Sequence, residues 1–275
     1  MNSAVVIDCA RTPIGRAHSE RGFFRSVRSD DLAVRVVEAL VERTELDIQE
    51  IEDVLLGNTQ QQGEQGFCVA RNVGLMAGLP VHAGGVTVNR LCGSSLQALN
   101  QGAHAIMSGF EDVQIAGGLE HMDHIPMDKD FDINPKLFRR TSKGALMMGV
   151  TAEFLAQMYS ISREQQDTFA LRSHHLAAAA TANGEFSREI IPTWGKDEEG
   201  HRLLCDYDQC VRPDTSKEAL AALKPAFMPG MGTVTAGNSS PLNDGAAALL
   251  IMSDTKAEQL GLKPMVRVVA TAVAG

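Results

Sequence analysis

The stretch Thr87-Val88-Asn89-Arg90-Leu91-Cys92-Gly93-Ser94-Ser95 carries the strongest fold signal, because it joins a strand to a helix through one tight turn. Residues 86–88 have the β-branched composition of a short strand, and residues 93–108 have helical composition. We expect the helix to begin at the cysteine. A strand that runs directly into a helix is the repeating unit of an α/β fold.

The same alternation continues on both sides of this turn. Apolar runs of strand length and helical patterns follow one another, with capping residues at 29–31 before the first helix. Apolar strands in this spacing imply a mostly parallel sheet that is sandwiched by helices and has right-handed crossovers. The predicted strands are 4–7, 54–57, 86–88 and 113–118, and the predicted helices are 32–43, 68–79 and 93–108.

The pattern changes in the middle of the chain. Residues 120–144 are rich in His, Met, Asp and Pro and have no sustained period, which is typical of an inserted functional loop. Ser162 and Gln165 then form a capping box that opens a long helix. The later predicted elements are helices at 151–159 and 162–183 and strands at 233–237, 246–252 and 265–273.

The chain has 275 residues, about twice the ~150-residue prior for one domain. We therefore predict two domains. Residues 1–119 and 242–275 would form an N-terminal α/β domain, and residues 120–241 an inserted loop domain.

The charge balance argues against nucleic acid as a partner. Lys and Arg number 25 and Asp and Glu number 34, so the net charge is −9, and only 5% of the residues are aromatic. The chain therefore lacks the excess of basic residues that counterion release requires and the aromatic residues that base stacking requires. The longest stretch without a charge, 91–110, contains several polar side chains, so we expect no transmembrane segment. The N-terminus lacks the basic region of a signal peptide, and the expected location is the cytoplasm.

The five cysteines do not form a secreted disulfide pattern, so we expect reduced thiols. Cys205 and Cys210 have no second pair of ligands nearby, and we predict no metal site from them.

Cys92 is the strongest candidate for chemistry. A thiol at a helix N-terminus faces unpaired N–H groups and the positive end of the helix dipole, which favour the thiolate. A thiolate suits acyl transfer from a thioester through a tetrahedral oxyanion. The alternative is an ordinary buried free cysteine. No histidine has a clear claim to be the base, and the best local cluster is His121-Met122-Asp123-His124. Its spacing could equally suit a metal, but it lacks a convincing set of four ligands, and we predict no metal site.

Two further stretches each allow a binding or a structural interpretation. Residues 233–245 combine small hydroxyl and amide side chains, which would line a slender amide-containing ligand or form an ordinary turn. Residues 136–143 carry Lys136, Arg139, Arg140 and Lys143 without an acidic residue. They would hold a phosphate or an anionic partner, or form a solvated loop.

Taken together, these motifs resemble those of the thiolase family, specifically the bacterial fatty-acid-oxidation 3-ketoacyl-CoA thiolases. The resemblance covers nearly the whole chain and runs through five motifs in order. They are R-T-P-I-G at 11–15, V-N-R-L-C-G-S-S-L-Q-A at 88–98, G-G-L-E-H-M at 117–122, M-G-V-T-A-E at 148–153 and T-A-G-N-S-S at 235–240.

The resemblance implies an acetyl-CoA C-acyltransferase with no tightly bound cofactor, for which coenzyme A is a substrate. Cys92 would take the acyl group from a 3-ketoacyl-CoA and release acetyl-CoA, and a second CoA thiol would collect the shortened chain. The reverse condensation would use the same thioester. The implied CoA and substrate residues are Ser240 at the pantetheine arm, Ala236 and Phe227 lining it, Met148 at the acyl pocket, Arg212 near the nucleotide, and His124 in an H-M-x-H stretch typical of this branch.

The resemblance also implies partners and a role for the insertion. The expected partners are CoA thioesters, further copies of this chain, and the hydratase/dehydrogenase subunit of a fatty-acid oxidation complex. The loop domain, with its basic residues at 136–143, would bind substrate.

Three thiolase motifs do not occur in this sequence: N-E-A-F, the G-H-P-x-G histidine that activates the nucleophile, and the C-x-G-x-G cysteine. In the family they belong to a second half that repeats the first sheet. We therefore expect that a whole domain is missing, that an apolar face is left exposed so that the chain associates, and that these 275 residues alone turn over slowly.

Two other functional classes stay open. A CoA-binding or assembly module would keep the ligand surface without turnover. A decarboxylating ketoacyl synthase or an acetoacetyl-CoA-forming biosynthetic thiolase would share the fold and the cysteine. The R-L-C-G-S-S-x-Q-A spelling and the H-M-x-H loop favour the fatty-acid-oxidation thiolase over the synthase.

Overall fold

A computed structural model of the protein describes residues 2–274. The strands are β1 (Ala4–Arg11), β2 (Gly15–Arg16), β3 (Asp53–Gly57), β4 (Val86–Val88), β5 (Val113–His121), β6 (Thr193–Lys196), β7 (Arg202–Cys205), β8 (Asn243–Ser253) and β9 (Val266–Arg267). The α-helices are α1 (Ser29–Thr44), α2 (Val69–Met76), α3 (Ser94–Ser108), α4 (Met148–Met158), α5 (Arg163–Ala182), α6 (Lys217–Ala221) and α7 (Asp254–Gln259). None of the helices within residues 2–274 is long and apolar enough to cross a membrane.

The main sheet has the strand order β4-β3-β5-β8-β1-β9, with β2 beside β8. β3 pairs in parallel with β4 and β5, whereas β8 runs antiparallel to β5 and β1, and β9 runs antiparallel to β1. The strands β1 to β5 therefore share one direction, and β8 and β9 oppose it. This mixed, mostly parallel sheet with its helices confirms the predicted layered α/β fold.

Successive side chains of a strand point to opposite faces of the sheet, and here both sets are largely apolar. Helices therefore cover both faces. In β1, Val5 belongs to the larger buried cluster with α1, whereas Val6 belongs to the smaller cluster under α3. Leu32 and Leu40 of α1 are fully buried, and so is Ile106 of α3. Burial of such a side chain stabilises the fold by about 1.5–3 kcal/mol relative to leaving it exposed.

Most predicted elements differ from the structure by a few residues at their ends, and three differences bear on the site. The helix after the cysteine begins at Ser94 rather than at Cys92. The predicted strand at 265–273 is limited to Val266–Arg267. The predicted strand at 233–237 is wrong, since these residues form a loop whose N–H groups bond to side chains instead of to a neighbouring strand.

The chain folds into two compact units. Unit 1 contains the residues up to Met127, Ser187–Gln209 and the residues from Asn243 onward, and unit 2 contains Asp128–Phe186 and Cys210–Leu242. The sequence analysis assigned residues 120–127 and 187–209 to the loop domain, whereas they lie in unit 1.

The contacts of Arg11 explain why the segment 187–209 belongs to unit 1. Its guanidinium donates to Glu189 at 2.8 Å and to both carboxylate oxygens of Asp208 at 2.7 and 3.0 Å. The planar guanidinium matches a carboxylate in this bidentate geometry, so the end of β1 binds both ends of the β6–β7 segment.

Candidate active site

Cys92 lies in the turn between β4 and α3, two residues before the helix begins, and its side chain is exposed. The preceding residue, Leu91, has a φ of 46°, in the left-handed region that non-glycine residues rarely adopt. Such a conformation persists only where surrounding contacts hold it, and it is common at functional sites. The turn therefore presents the thiol to solvent at the approach to a helix.

Hydrogen bonds hold this turn from both sides. The N–H of Leu91 donates to Asn89 Oδ1 at 2.9 Å. The N–H of Arg90 donates to Ser94 Oγ at 2.8 Å, and that hydroxyl donates to the carbonyl oxygen of Leu91 at 2.6 Å. Side chains before and after Cys92 thus fix the backbone around it.

Two glycines let the start of α3 lie against the sheet. A Cβ on Gly57, the last residue of β3, would overlap the backbone of Ser94 and Ser95. A Cβ on Gly118 of β5 would overlap the side chain of Ser95 at the start of α3. The N-terminus of α3 is therefore pressed onto the carboxyl ends of β3 and β5. Its N-cap, Gly93, offers no side chain to its N–H groups, which suits binding of an anion or oxyanion there.

His121 and His124 hold the end of β5. His124 Nδ1 lies 3.0 Å from Glu64 Oε1, and its Nε2 lies 3.1 Å from the carbonyl oxygen of Arg25. His121 is fully buried, its Nδ1 accepts the N–H of His124 at 3.1 Å, and its Nε2 lies 3.1 Å from the carbonyl oxygen of Phe24. All four ring nitrogens therefore bond within the protein, which argues against either histidine as a base or metal ligand.

The contacts of His124 set its charge. Burial lowers its pKa, but the hydrogen bonds to Glu64 and to the Arg25 carbonyl, with the charges of Glu64 and Asp123, outweigh burial and raise the pKa above its ordinary value. Burial likewise raises the pKa of Glu64, but the bonds from Ser29 and His124 outweigh it, so this pKa is lowered. Both shifts favour the charged forms of His124 and Glu64. Glu64 also accepts the N–H of Ser29 and so caps α1, a role that the sequence analysis assigned to residues 29–31.

In unit 2, a buried carboxylate organises the T-V-T-A-G-N loop. Glu153 of α4 is only 2% exposed, and it accepts hydrogen bonds from the N–H and hydroxyl of Thr233 at 2.9 Å and from the N–H of Val234 at 2.8 Å. Burial raises the pKa of Glu153, but these bonds outweigh burial and lower the pKa. Asn238 Nδ2 donates to Asp167 of α5 at 3.0 Å, so α4 and α5 together support the loop.

The other residues that the resemblance implied for CoA and substrate lie together in unit 2, whereas Cys92 and His124 lie in unit 1. Most of them reach solvent, and the ring of Phe227 packs directly over Gly149. The N–H of Arg212 donates to His174 Nδ1 at 3.2 Å, and the hydroxyl of Ser240 donates to the Pro241 carbonyl at 3.2 Å. The unit 2 residues of this set are Met148, Arg212, Phe227, Ala236 and Ser240.

Three carboxylates near the candidate sites have no role predicted from the sequence, although two of them stand inside quoted motifs. Glu64, Glu120 and Glu153 each accept several N–H or hydroxyl donors close to a candidate site. In the sequence, each of these carboxylates is marked only as an isolated acidic residue beside a glycine or an apolar residue. Among residues 2–274, Asp197, Glu199 and His201 lie close enough together to hold a metal ion, but solvent-facing acids often gather without one.

A family model described as "Thiolase, N-terminal domain" matches residues 4–255, which contain all five motifs. The chain belongs to the thiolase family. As a thiolase, the protein is an acyltransferase.

Curated thiolases resemble the chain over nearly its whole length. It is 50% identical to the 3-ketoacyl-CoA thiolase of Vibrio parahaemolyticus over 274 residues, which are 99% of this chain and 70% of the relative. It is 52% identical to that of Pectobacterium carotovorum, and 51% identical to that of Shewanella sp. strain MR-7, in each case over 276 positions that cover 100% of this chain and 71% of the relative.

Proposed function

We propose that the protein transfers acyl groups through a thioester at Cys92, cleaving 3-ketoacyl-CoA with CoA to acetyl-CoA and a shortened acyl-CoA. The observation that carries this proposal is the exposed thiol in a strained turn beside an uncapped helix N-terminus. Coenzyme A is a substrate in this reaction, and no tightly bound cofactor is needed.

The reaction has two halves. First, the Cys92 sulfur attacks the 3-keto carbon, the S–C bond forms, and the C2–C3 bond breaks. Its electron pair leaves with C2, which takes a proton and becomes the methyl group of acetyl-CoA. Then the deprotonated sulfur of a second CoA attacks the acyl carbon, and the Cys92 thiolate leaves and recovers a proton. The N–H groups at the start of α3 would stabilise the negative charge that develops on the oxygen.

We further propose that unit 2 is the substrate-binding domain. Ser240 would hydrogen-bond the pantetheine arm, with Ala236 and Phe227 along it, while Met148 borders the acyl chain and Arg212 meets the nucleotide. The support is the loop at 233–240, which Glu153 and Asp167 hold rigidly while Ala236 and Ser240 stay exposed. The basic residues at 136–143 would attract CoA phosphates. His124 would support the site structurally and would not contact the substrate, because both of its ring nitrogens are hydrogen-bonded within the protein.

Residues 1–275 alone should turn over slowly. The sequence contains none of the family's G-H-P-x-G, N-E-A-F and C-x-G-x-G motifs, and the two histidines near Cys92 in sequence are engaged in structural bonds. This second observation favours a CoA-binding module without turnover as the alternative function. A ketoacyl synthase is the other alternative, and decarboxylation of a malonyl thioester would distinguish it.

We propose that the chain associates with further copies of itself, and with a hydratase/dehydrogenase subunit in a fatty-acid oxidation complex. β4 is an edge strand of the main sheet, and large apolar side chains are exposed near it. Phe67 is 96% exposed and Leu91 is 69% exposed. Open strand edges and apolar patches are typical of protein interfaces. A monomer by light scattering at micromolar concentration would contradict self-association.

Acyl transfer to Cys92 is tested by incubation with acetyl-CoA followed by peptide mass spectrometry. We expect one acetyl group on Cys92, its loss in Cys92→Ala, and its retention in the matched variant Cys68→Ala, which removes another exposed thiol. Equal acetylation of Cys68 and Cys92 would refute the assignment. CoA binding by calorimetry without acetylation would establish the binding module instead.

A further inference from the structure

We propose that Glu120 is a positioning residue for Cys92. Its carboxylate, acting through Thr59 and Asn89, holds the turn that presents the thiol. This inference rests on the proposed role of Cys92 as the nucleophile, and it adds a residue that acts through others without touching the substrate.

Glu120 stands near the end of β5, half-buried, and four donors surround its carboxylate. Oε1 accepts from Asn58 Nδ2 at 3.2 Å and from Gln65 Nε2 at 2.7 Å. Oε2 accepts from the N–H of Thr59 at 2.8 Å and from its hydroxyl at 2.6 Å. A carboxylate can accept all four bonds, whereas an amide in its place would turn an NH₂ group toward at least one N–H donor. Charge-assisted bonds of this kind are the strong ones.

A chain of hydrogen bonds leads from this carboxylate to the residue before Cys92. The carbonyl oxygen of Thr59 accepts from Asn89 Nδ2 at 2.9 Å. Asn89 Oδ1 in turn accepts the N–H of Leu91 at 2.9 Å. The amide orientation of Asn89 is unambiguous, since one end meets a carbonyl and the other meets an N–H. The bonds therefore run without interruption from Glu120 through Thr59 and Asn89 to Leu91.

The segment after β3 is tied to the strand before the turn by a second bond. The N–H of Asn58 donates to the carbonyl oxygen of Val88 at 3.0 Å, and Asn58 is only 1% exposed. Leu91, at a φ of 46°, keeps its conformation only while these neighbours hold it. Without the carboxylate, Thr59 loses two bonds, and the strained turn can relax away from the N-terminus of α3.

Positioning and simple charge predict opposite effects. A negative carboxylate near a thiol disfavours the thiolate, so neutralising Glu120 would speed alkylation of Cys92 if charge alone mattered. Loss of positioning would slow it, because the sulfur would no longer be held at the start of α3, the place on which its proposed reactivity depends. Cys92 is already exposed, so greater access cannot explain a change in either direction.

The variants change residues along this chain of hydrogen bonds. Glu120→Gln keeps the shape of the side chain but turns an NH₂ group toward donors. Thr59→Val removes only the hydroxyl bond, and Thr59→Ser restores it as the conservative rescue. The matched control is Gln60→Ala, because the Gln60 side chain bonds to the Met127 carbonyl, outside the chain that leads to Leu91.

The experiment measures peptide-resolved iodoacetamide labelling of the full chain between pH 6 and 9. In the wild type we expect Cys92 to react faster than Cys68, because the Cys68 thiol is engaged in a hydrogen bond to the Gly85 carbonyl. Glu120→Gln and Thr59→Val should slow Cys92 labelling by about fivefold, the size of a helix N-terminus effect. Thr59→Ser and Gln60→Ala should stay within about twofold of the wild type on that scale.

The outcomes separate the inference from the function on which it rests. A fast wild-type Cys92 that both Glu120→Gln and Thr59→Val leave fast, or make faster, overturns the role of Glu120 alone. A wild-type Cys92 no faster than Cys68 overturns the nucleophile and the positioning role together. If Glu120→Gln fails to fold by circular dichroism, the Thr59→Val and Thr59→Ser pair decides the question with a smaller change.

Discussion

The imidazole rings of His121 and His124 stack with their centroids 3.7 Å apart and their planes 15° from parallel. Nδ1 of His121 meets the N–H of His124 and lies 3.3 Å from Asp244 Oδ1, whereas both nitrogens of His124 face acceptors. Burial lowers the pKa of His124, but its hydrogen bonds to Glu64 and to the Arg25 carbonyl outweigh burial and raise it. The contribution of His124 to stability should therefore depend on pH.

His124→Gln should reveal that dependence. The pKa of His124 is raised in the folded state, so its contribution is complete below the unfolded value of about 6.5 and is lost as the pH rises through the folded value. The lowered pKa of Glu64 removes the pair again as the pH falls through that folded value. We expect the variant to lose about 1–2 kcal/mol in urea unfolding at pH 6, and clearly less at pH 9.

The control for this prediction is His82→Gln, an exposed histidine whose ring contacts only the Gln49 carbonyl among the described residues. It should change the free energy of unfolding little at either pH. Asp123 and the buried Asp244 also face this histidine pair. An equal loss for His124→Gln at both pH values would mean that the charge of His124 does not contribute to stability.

Gly57→Ala should damage both stability and the reactive turn. Its Cβ would overlap the backbone of Ser94 and Ser95, where no flexible side chain can give way. We expect a loss of about 1–3 kcal/mol in denaturant unfolding and slower alkylation of Cys92. Gly144→Ala is the control, because its Cβ would meet Val150 at 3.4 Å, an ordinary contact. Wild-type stability for Gly57→Ala would contradict the close approach of α3 and β3.

Glu153→Gln should loosen unit 2 without affecting Cys92. The variant removes charge-assisted bonds to Thr233 and Val234, and we expect a cost of about 2 kcal/mol at pH 7. Because the folded pKa of Glu153 is lowered, that cost should fade as the pH drops through it. Limited proteolysis should cut the 233–240 loop faster. Glu164→Gln, which breaks only an exposed pair with Lys217, should change cutting little. Unchanged proteolysis of Glu153→Gln would show that other contacts hold the loop.

Cys205 should be inert in the folded protein. It is fully buried, and burial, with a smaller effect of the Asp206 charge, raises the pKa of its thiol to about 11. We expect no iodoacetamide labelling of Cys205 at pH 9 in buffer, and labelling equal to that of the other cysteines in urea. Labelling of native Cys205 at the rate of Cys92 would show that the β6–β7 segment opens readily.

Most of the regular elements were predictable from local patterns. The strand at 86–88, the turn at Cys92 and the helix after it depend on neighbours within a few positions, and the capping box of Ser162 and Gln165 is confirmed for the same reason. Local composition was enough there because backbone dihedrals, capping bonds and apolar alternation are all set by adjacent residues.

The remaining features depend on contacts between distant residues. The composition of residues 233–237 predicts a strand, but Glu153, 80 positions before Thr233, accepts the N–H groups of Thr233 and Val234. The residues therefore form a loop. Arg11 binds Asp208 across 197 positions and so brings the β6–β7 segment into unit 1. The chain from Glu120 to Leu91 likewise needs β3 and β5 side by side. No local pattern encodes such pairs, because a carboxylate or guanidinium gains its partners only after the strands and helices have packed.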